Sequence, residues 1–302
     1  MGGTYVFGEP LAELSDVRPG VARLGVAGDT FNTAIYMRRA GVPVRYVSVI
    51  GTDPLSAQVA RIAEEEGIET VDILRSPDRP VGLYVIETDD AGERRFTYWR
   101  SNSAYRAWFA TPGAEASLTR MAEADLLYLS GISLSAFDEE RRQRIIQVAH
   151  DVRRAGGKVA FDPNYRPAGW ESREAARGAI SAIMPAVSIA LPTFEDEAAL
   201  FGYPSPERSL MAWQAAGAEE VCVKCGPRGA LLPEGWVAPE APRQPLDTTG
   251  AGDSFNAAYL AARSRGEDFV SAARAANALA GEVVMTRGAI LPRPGPAPQA
   301  VA

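Results

Sequence analysis

Short runs rich in β-branched and aromatic residues alternate along this chain with longer stretches whose apolar residues recur at helical spacing. That alternation restricts the fold more than any other feature, because parallel strands must be joined by crossovers of a dozen or more residues, normally helices. The predicted strands run from Thr4 to Gly8, Val44 to Ile50, Leu126 to Ser130, Lys158 to Asp162, Ile189 to Leu191 and Glu220 to Lys224. Amphipathic segments such as Leu55 to Glu66 and Glu139 to Arg154 lie between them. The pattern predicts an α/β fold: a doubly wound, mostly parallel sheet with right-handed crossovers and helices on both faces.

One stretch breaks the rhythm. Val81 to Thr88 and Glu93 to Trp99 flank Asp89-Asp-Ala-Gly92 and read as two strands around a turn. A hairpin cannot be a parallel crossover, so it should project from the main sheet as a small β lid, joined by strand residues from Leu11 to Leu24. The lid is then discontinuous, about 11–27 and 81–100, on a single domain spanning 1–302. The Pro- and Ala-rich residues 292–302 read as a flexible tail.

With 302 residues, 46% of them hydrophobic and 23% charged, the chain can bury a large core without disulfides. A formal charge of -7 argues against nucleic acid as a partner. It would also repel an anionic nucleotide at long range, so any phosphate site must be built from local backbone N–H groups and a few placed cations. The two cysteines, Cys222 and Cys225, cannot complete a four-ligand zinc site, and a strand points them to opposite faces. They read as reduced, packed thiols. The opening residues lack a secretory pattern, and no apolar run reaches the roughly 18 to 20 residues needed to span a bilayer. A cytoplasmic protein without membrane partners is expected.

The strongest chemical signal is Asp247-Thr-Thr-Gly-Ala-Gly-Asp-Ser-Phe, followed by good helix-forming sequence. Gly250, Ala251 and Gly252 form a turn that opens a helix, whose unpaired first-turn amides and dipole attract a phosphoryl group. Asp253 would repel phosphate but could take a proton from an attacking hydroxyl. The residues alone leave that role level with a helix N-cap. Lys224, followed by Gly226 and Gly229, offers a cation and open amides to polyphosphate, or an ordinary β-turn. Asn277 could pass a base pocket or be a plain exposed helical residue.

The same string resembles the C-terminal signature of the ribokinase-like, or PfkB, sugar kinases. Gly28-Asp29 with Asn32, Gly51-Thr-Asp53 and Lys224-Cys-Gly226-Pro-Arg-Gly229 follow in that family's order, so the resemblance covers nearly the whole chain. It implies an ATP-dependent kinase using Mg2+, with a monovalent cation left open. It also implies an anion hole at Gly250, Ala251 and Gly252, Asp253 as base, and nucleotide contacts from Asn164, Lys224, Gly226, Gly229 and Asn277. Where many members carry Asn-x-x-Glu, this chain has Thr193-Phe-Glu-Asp196, so Asp196 is left to hold magnesium through water.

Within the family, Gly28-Asp-Thr-Phe-Asn32, Gly82-Leu-Tyr84, Tyr98-Trp-Arg100 and Asp162-Pro-Asn-Tyr-Arg166 look closest to 2-keto-3-deoxygluconate kinases. A sugar acid needs fixed cations, and Arg100 and Arg166 can supply charge-assisted bonds. The resemblance puts Tyr84, Tyr98, Arg100 and Arg166 at the carboxylate and keto end, Gly28, Asp29 and Asn32 at the hydroxyls, and the C6 hydroxyl at Asp253. Strand alternation sets Tyr98 and Arg100 on one face and turns Trp99 away, into packing. The competing readings are a kinase for fructose or a nucleoside on the same scaffold, and a silent sugar-acid sensor. Exposed lid strands point to a homo-oligomer.

Overall fold

The computed structural model of the protein describes residues 2–88, 94–241 and 243–293. In chain order its strands are β1 (Thr4–Phe7), β2 (Leu11–Arg18), β3 (Val21–Ala27), β4 (Val44–Ile50), β5 (Ile73–Arg75), β6 (Gly82–Thr88), β7 (Arg94–Trp99), β8 (Leu126–Ser130), β9 (Lys158–Asp162), β10 (Ile189–Ala190), β11 (Glu220–Val221), β12 (Val223–Lys224), β13 (Ala230–Leu232) and β14 (Gly235–Val237). The α-helices are α1 (Asp29–Arg39), α2 (Pro54–Glu65), α3 (Ala114–Met121), α4 (Gly131–Ser135), α5 (Glu139–Arg154), α6 (Arg173–Ile183), α7 (Phe194–Phe201), α8 (Pro206–Ala215), α9 (Ala251–Ser264) and α10 (Phe269–Val283).

Seven strands form one parallel sheet in the order β11-β10-β9-β8-β1-β4-β5. The chain winds outward from β1 in one direction through β4 and β5, and in the other through β8 to β11. The order therefore reverses beside β1, where doubly wound sheets open a crevice at the carboxyl ends of their strands. Side-chain parity divides the core in two. Tyr5, Phe7, Leu127, Leu129, Val159 and Phe161 pack with α3, α5, α6 and α8. Their alternates Val6, Tyr128 and Ala160 pack with α1, α2, α9 and α10. Both faces of each inner strand are thus buried, which is why these strands read as nearly continuous apolar runs.

A separate four-stranded sheet, in the order β3-β2-β6-β7, is mixed: β2 pairs antiparallel with β3 and parallel with β6, and β6 pairs antiparallel with β7. The turn read at Asp89-Asp-Ala-Gly92 and the tail from 294 lie outside the described residues. Arg293, at the end of the described chain, bonds Glu66 at 3.1 Å.

Two expectations are corrected. The run from Glu220 to Lys224 is divided at Cys222: β11 stays in the main sheet, while β12 turns to pair with β13. Trp99 does point away from Tyr98, but it is 56% exposed because no layer among the described residues covers the outer face of β7. The two thiols are free and buried, Cys222 in one half of the core and Cys225 in the other.

Trp213 is fully buried in the first half of the core, against Phe161. Trp213→Ala should destabilise the fold by about 3–5 kcal/mol, read as a lower denaturant midpoint at unchanged slope.

Candidate active site

The carboxyl ends of β1, β8 and β9 and the start of α1, α7 and α9 converge on one cleft. It has two chambers, of about 1000 and about 390 Å³. They meet at Thr193, Lys224, Pro245, Thr248 and Gly252, so the opening turn of α9 stands at their junction.

Three helices that start at the cleft lack the side-chain cap bond that most of the other helices have. The caps of α2, α5, α6, α8 and α10 are Asp53, Asp138, Ser172, Ser205 and Asp268, each accepting a bond from its own first turn. By contrast α1, α7 and α9 begin at Gly28, Thr193 and Gly250 with no side-chain cap bond. A side-chain cap would occupy the amides that an anion must reach, so leaving them bare keeps the positive helix end available. Gly250 holds φ 75°, and a Cβ there would lie 2.7 Å from Ala289. Gly28 holds φ 129° with its missing Cβ directed at the Glu9 carbonyl oxygen. Both positions require glycine.

Asp253 sits in the first turn of α9 and is not its cap, which decides against the N-cap alternative. Its Oδ2 accepts from Asn32 Nδ2 at 2.8 Å, and its carbonyl accepts from Thr33 Oγ1 at 3.2 Å, tying α9 to α1. Two further carboxylates stand nearby. Asp29 Oδ2 accepts from Asn164 Nδ2 at 3.0 Å. Asp162 Oδ2 takes a salt bridge from Lys224 Nζ at 2.6 Å and a bond from Asn256 Nδ2 at 2.7 Å, while Asn256 also donates to Tyr128 OH at 3.0 Å. Burial first, and the Asp29 charge second, push Asp253 up to about 8; the Asn32 bond pulls the other way. Burial likewise raises Asp29. A carboxylate of this kind, once ionised, is a stronger proton acceptor than an ordinary one.

Gly28, Asp29, Asn32, Tyr84, Tyr98, Arg100, Asn164, Arg166, Lys224, Gly250, Gly252 and Asp253 all line the larger chamber. Tyr84 is buried, and its hydroxyl donates to Glu13. Tyr98 is half exposed and lies against Tyr84, with ring centroids 5.7 Å apart. Both arginines are already paired: Arg100 with the buried Glu9, and Arg166 Nη1 with both oxygens of Asp196 at 3.0 and 3.1 Å.

The smaller chamber takes Lys224, Gly226, Gly229, Ala251, Gly252 and Asn277, together with apolar Phe255, Ala280 and Val284. Gly226 and Gly229 form the tight connection from β12 to β13, so the turn exists and also borders the cavity. Asn277 is buried, donating to Val237 O at 2.9 Å, which removes the exposed-helix alternative. Lys224 reaches both chambers, but its ammonium is engaged with Asp162 and Asn256.

Glu9, Asp162, Asn256 and Tyr128 escaped the sequence reading. Glu9 follows β1 and Asp162 ends β9; an acidic side chain at the carboxyl end of an apolar strand was the available signal. Tyr128 and Asn256 carried none, being an aromatic in a strand and a polar residue in a helix.

A larger chamber lined by carboxylates, amides and arginines and a mostly apolar one meet at an uncapped helix that carries a buried carboxylate, an arrangement suited to phosphoryl transfer. The chain belongs to the pfkB family of carbohydrate kinases, whose family model matches residues 9–295. It is 39% identical over 298 residues to a 2-dehydro-3-deoxygluconokinase of Dickeya dadantii (strain 3937), covering 95% of this chain and 96% of that protein. It is also 39% identical over 299 residues to one of Escherichia coli (strain K12), with the same coverage. Among solved structures, a putative ribokinase II from E. coli in complex with ATP and Mg2+ superimposes with a TM-score of 0.81 at 24% identity, covering 96% of this chain and 94% of that one.

Were Asp253 the base, which works only when ionised, its raised value would set where activity is lost on acidification. The acid limb of kcat/KM should be centred about pH 8, far above the ordinary carboxylate range, and Asn32→Ala should move it further alkaline. A pH–rate profile whose acid limb lies below pH 5 would exclude this assignment.

Proposed function

We propose that this chain transfers the γ-phosphoryl group of ATP to the C6 hydroxyl of 2-keto-3-deoxygluconate, the compound also called 2-dehydro-3-deoxygluconate. The observation carrying this reading is Asp253, held by Asn32 at 2.8 Å beside the bare amides of α9 where the two chambers meet. Two curated relatives carrying that kinase name at 39% identity over nearly the whole chain support the choice of substrate.

In this reading the sugar acid fills the larger chamber, its carboxylate toward Arg100 and Arg166 and its C6 hydroxyl at Asp253. Asp253 accepts the hydroxyl proton as the new O–P bond forms and the bond to the β-phosphate oxygen breaks, releasing ADP. The amides at Gly252 and Asp253 stabilise charge on the moving phosphoryl group. The nucleotide base takes the apolar side of the smaller chamber, near Phe255, Asn277 and Val284. No cluster of three or more acidic, His or Cys side chains able to hold a metal occurs among the described residues. Magnesium bound chiefly by phosphates needs only one or two carboxylates; Asp196, near Thr193 at the start of α7, lines neither chamber and is paired with Arg166, so it would hold the ion through water, and the ion would neutralise phosphate charge there.

Among the described residues no helix is long and apolar enough to cross a membrane. Two buried free thiols agree with a reducing cytoplasm. The exposed Val21 and Trp99 on the edge strands β3 and β7 favour pairing of copies through the four-stranded sheet.

Asp253→Asn should lower kcat by at least 10²-fold while leaving the KM for ATP nearly unchanged, in an assay coupling ADP release to 2-keto-3-deoxygluconate. Near-normal turnover would sink the mechanism, and absence of sugar-dependent ADP release from the unaltered protein would favour a sensor. Arg166→Ala should damage use of the sugar acid more than use of fructose; equal losses would count against the carboxylate reading.

A further inference from the structure

Arg100 carries much of the proposed substrate specificity, yet its guanidinium is not an open cation. It meets Glu9, a carboxylate 2% exposed that also lines the larger chamber. Glu9 occupies the short connection from β1 into β2, and Arg100 follows the last residue of β7. The pair therefore joins the entry of the chain into the four-stranded sheet with its exit.

Each partner is fixed by its own surroundings. The Glu9 carbonyl oxygen lies where a Cβ on Gly28 would have to be, and Glu9 Oε1 lies 2.8 Å from where a Cβ on Gly82 would be. The same missing Cβ of Gly82 would stand 3.3 Å from Arg100 Cβ and 2.6 Å from Leu11 Cδ2, so this glycine makes room for both members of the pair and for the Leu11 side chain. The Arg100 carbonyl accepts from Ser103 N at 3.2 Å and from Arg106 Nε at 3.1 Å. Neither Glu9 Oε1 nor Arg100 Nε has a hydrogen-bond partner among the described residues. An ion pair serving stability alone would be expected to satisfy those two buried atoms; one nitrogen of the guanidinium is spent on Glu9 while Nε is left unmatched.

We propose that Glu9 is the positioning residue for Arg100, holding its guanidinium in the orientation that receives the carboxylate of the sugar acid, with Gly82 as the space that admits the Glu9 side chain. A free arginine on a strand end would lose rotamer freedom on binding; one already clasped loses less, and the gain appears in substrate affinity. The inference rests on Arg100 as the carboxylate clamp.

Steady-state kinetics with 2-keto-3-deoxygluconate and ATP on Glu9→Ala, Glu9→Gln, Gly82→Ala, Arg100→Met and the Glu9→Ala/Arg100→Met double variant test it. Glu9→Ala should raise the KM for the sugar acid at least tenfold, with a smaller change in kcat and little in the KM for ATP. Glu9→Gln, which keeps an oxygen for the guanidinium, should recover most of that loss. Gly82→Ala, which keeps both charges but displaces the carboxylate, should raise the same KM and so serves if Glu9→Ala fails to fold. In the Arg100→Met background Glu9→Ala should add nothing. A KM unmoved by Glu9→Ala or Gly82→Ala, a Gln variant as impaired as Ala, or an equal penalty with and without Arg100 would overturn the proposal. If Arg100→Met itself leaves the sugar-acid KM unchanged, the clamp reading is what falls.

Discussion

Three carboxylates, Asp29, Asp162 and Asp253, are brought together in a half-enclosed cleft, and most of the site's architecture answers the repulsion among them. Each has its own neutral or cationic partner: Asn164 for Asp29, Lys224 and Asn256 for Asp162, and Asn32 for Asp253. Among the described residues, only Asp162 of the three has an ion pair of its own. Asp253 has a single amide donor, too little to offset its burial, so its proton affinity climbs. The sign follows from linkage. A carboxyl whose folded value lies above its unfolded one contributes stability at low pH that is lost as pH rises toward about 8. The native state is thus least comfortable with Asp253 in the ionised form that a base requires, which is the usual direction of trade between stability and function at such a site.

The same constraint accounts for Lys224. A lysine at the end of a strand, followed by glycines, looks available to polyphosphate, but its ammonium is consumed by Asp162. Positive potential toward an anion then comes chiefly from helix ends. Those ends are available because α1, α7 and α9 have no side-chain cap bond, whereas α2, α5, α6, α8 and α10 do. In a protein of net charge -7, short-range amides and dipoles can hold phosphate where the long-range field would not.

Much of this was legible because it is local. Strand and helix periodicity placed the sheet within a residue or two along β4, β8, β9 and α5, and the glycines at 250 and 252 announced the turn into α9. What stayed hidden is relational. Nothing in the spacing of Glu9 and Arg100, or of Arg166 and Asp196, says that they meet, since each contact spans separate elements. Alternation along β7 turned Trp99 correctly away from Tyr98, but whether a layer waits on that side is a property of the assembled sheet. The division of Glu220 to Lys224 between two sheets is likewise set by β13, which β12 can pair with only after the chain has turned back.

The two arginines then differ in a way that composition conceals. Arg166 is the more exposed and meets a half-buried Asp196 at the start of α7, so its pair can open toward solvent at modest cost. Arg100 meets a carboxylate sealed from solvent, and separating that pair would leave Glu9 buried and uncompensated. On the proposed reading Arg100 acts from a fixed position with Glu9 attached, while Arg166 can exchange Asp196 for another anion. On the proposed reading of Asp196 as the magnesium residue, a sugar carboxylate that draws Arg166 away would free the Asp196 carboxylate at the same time.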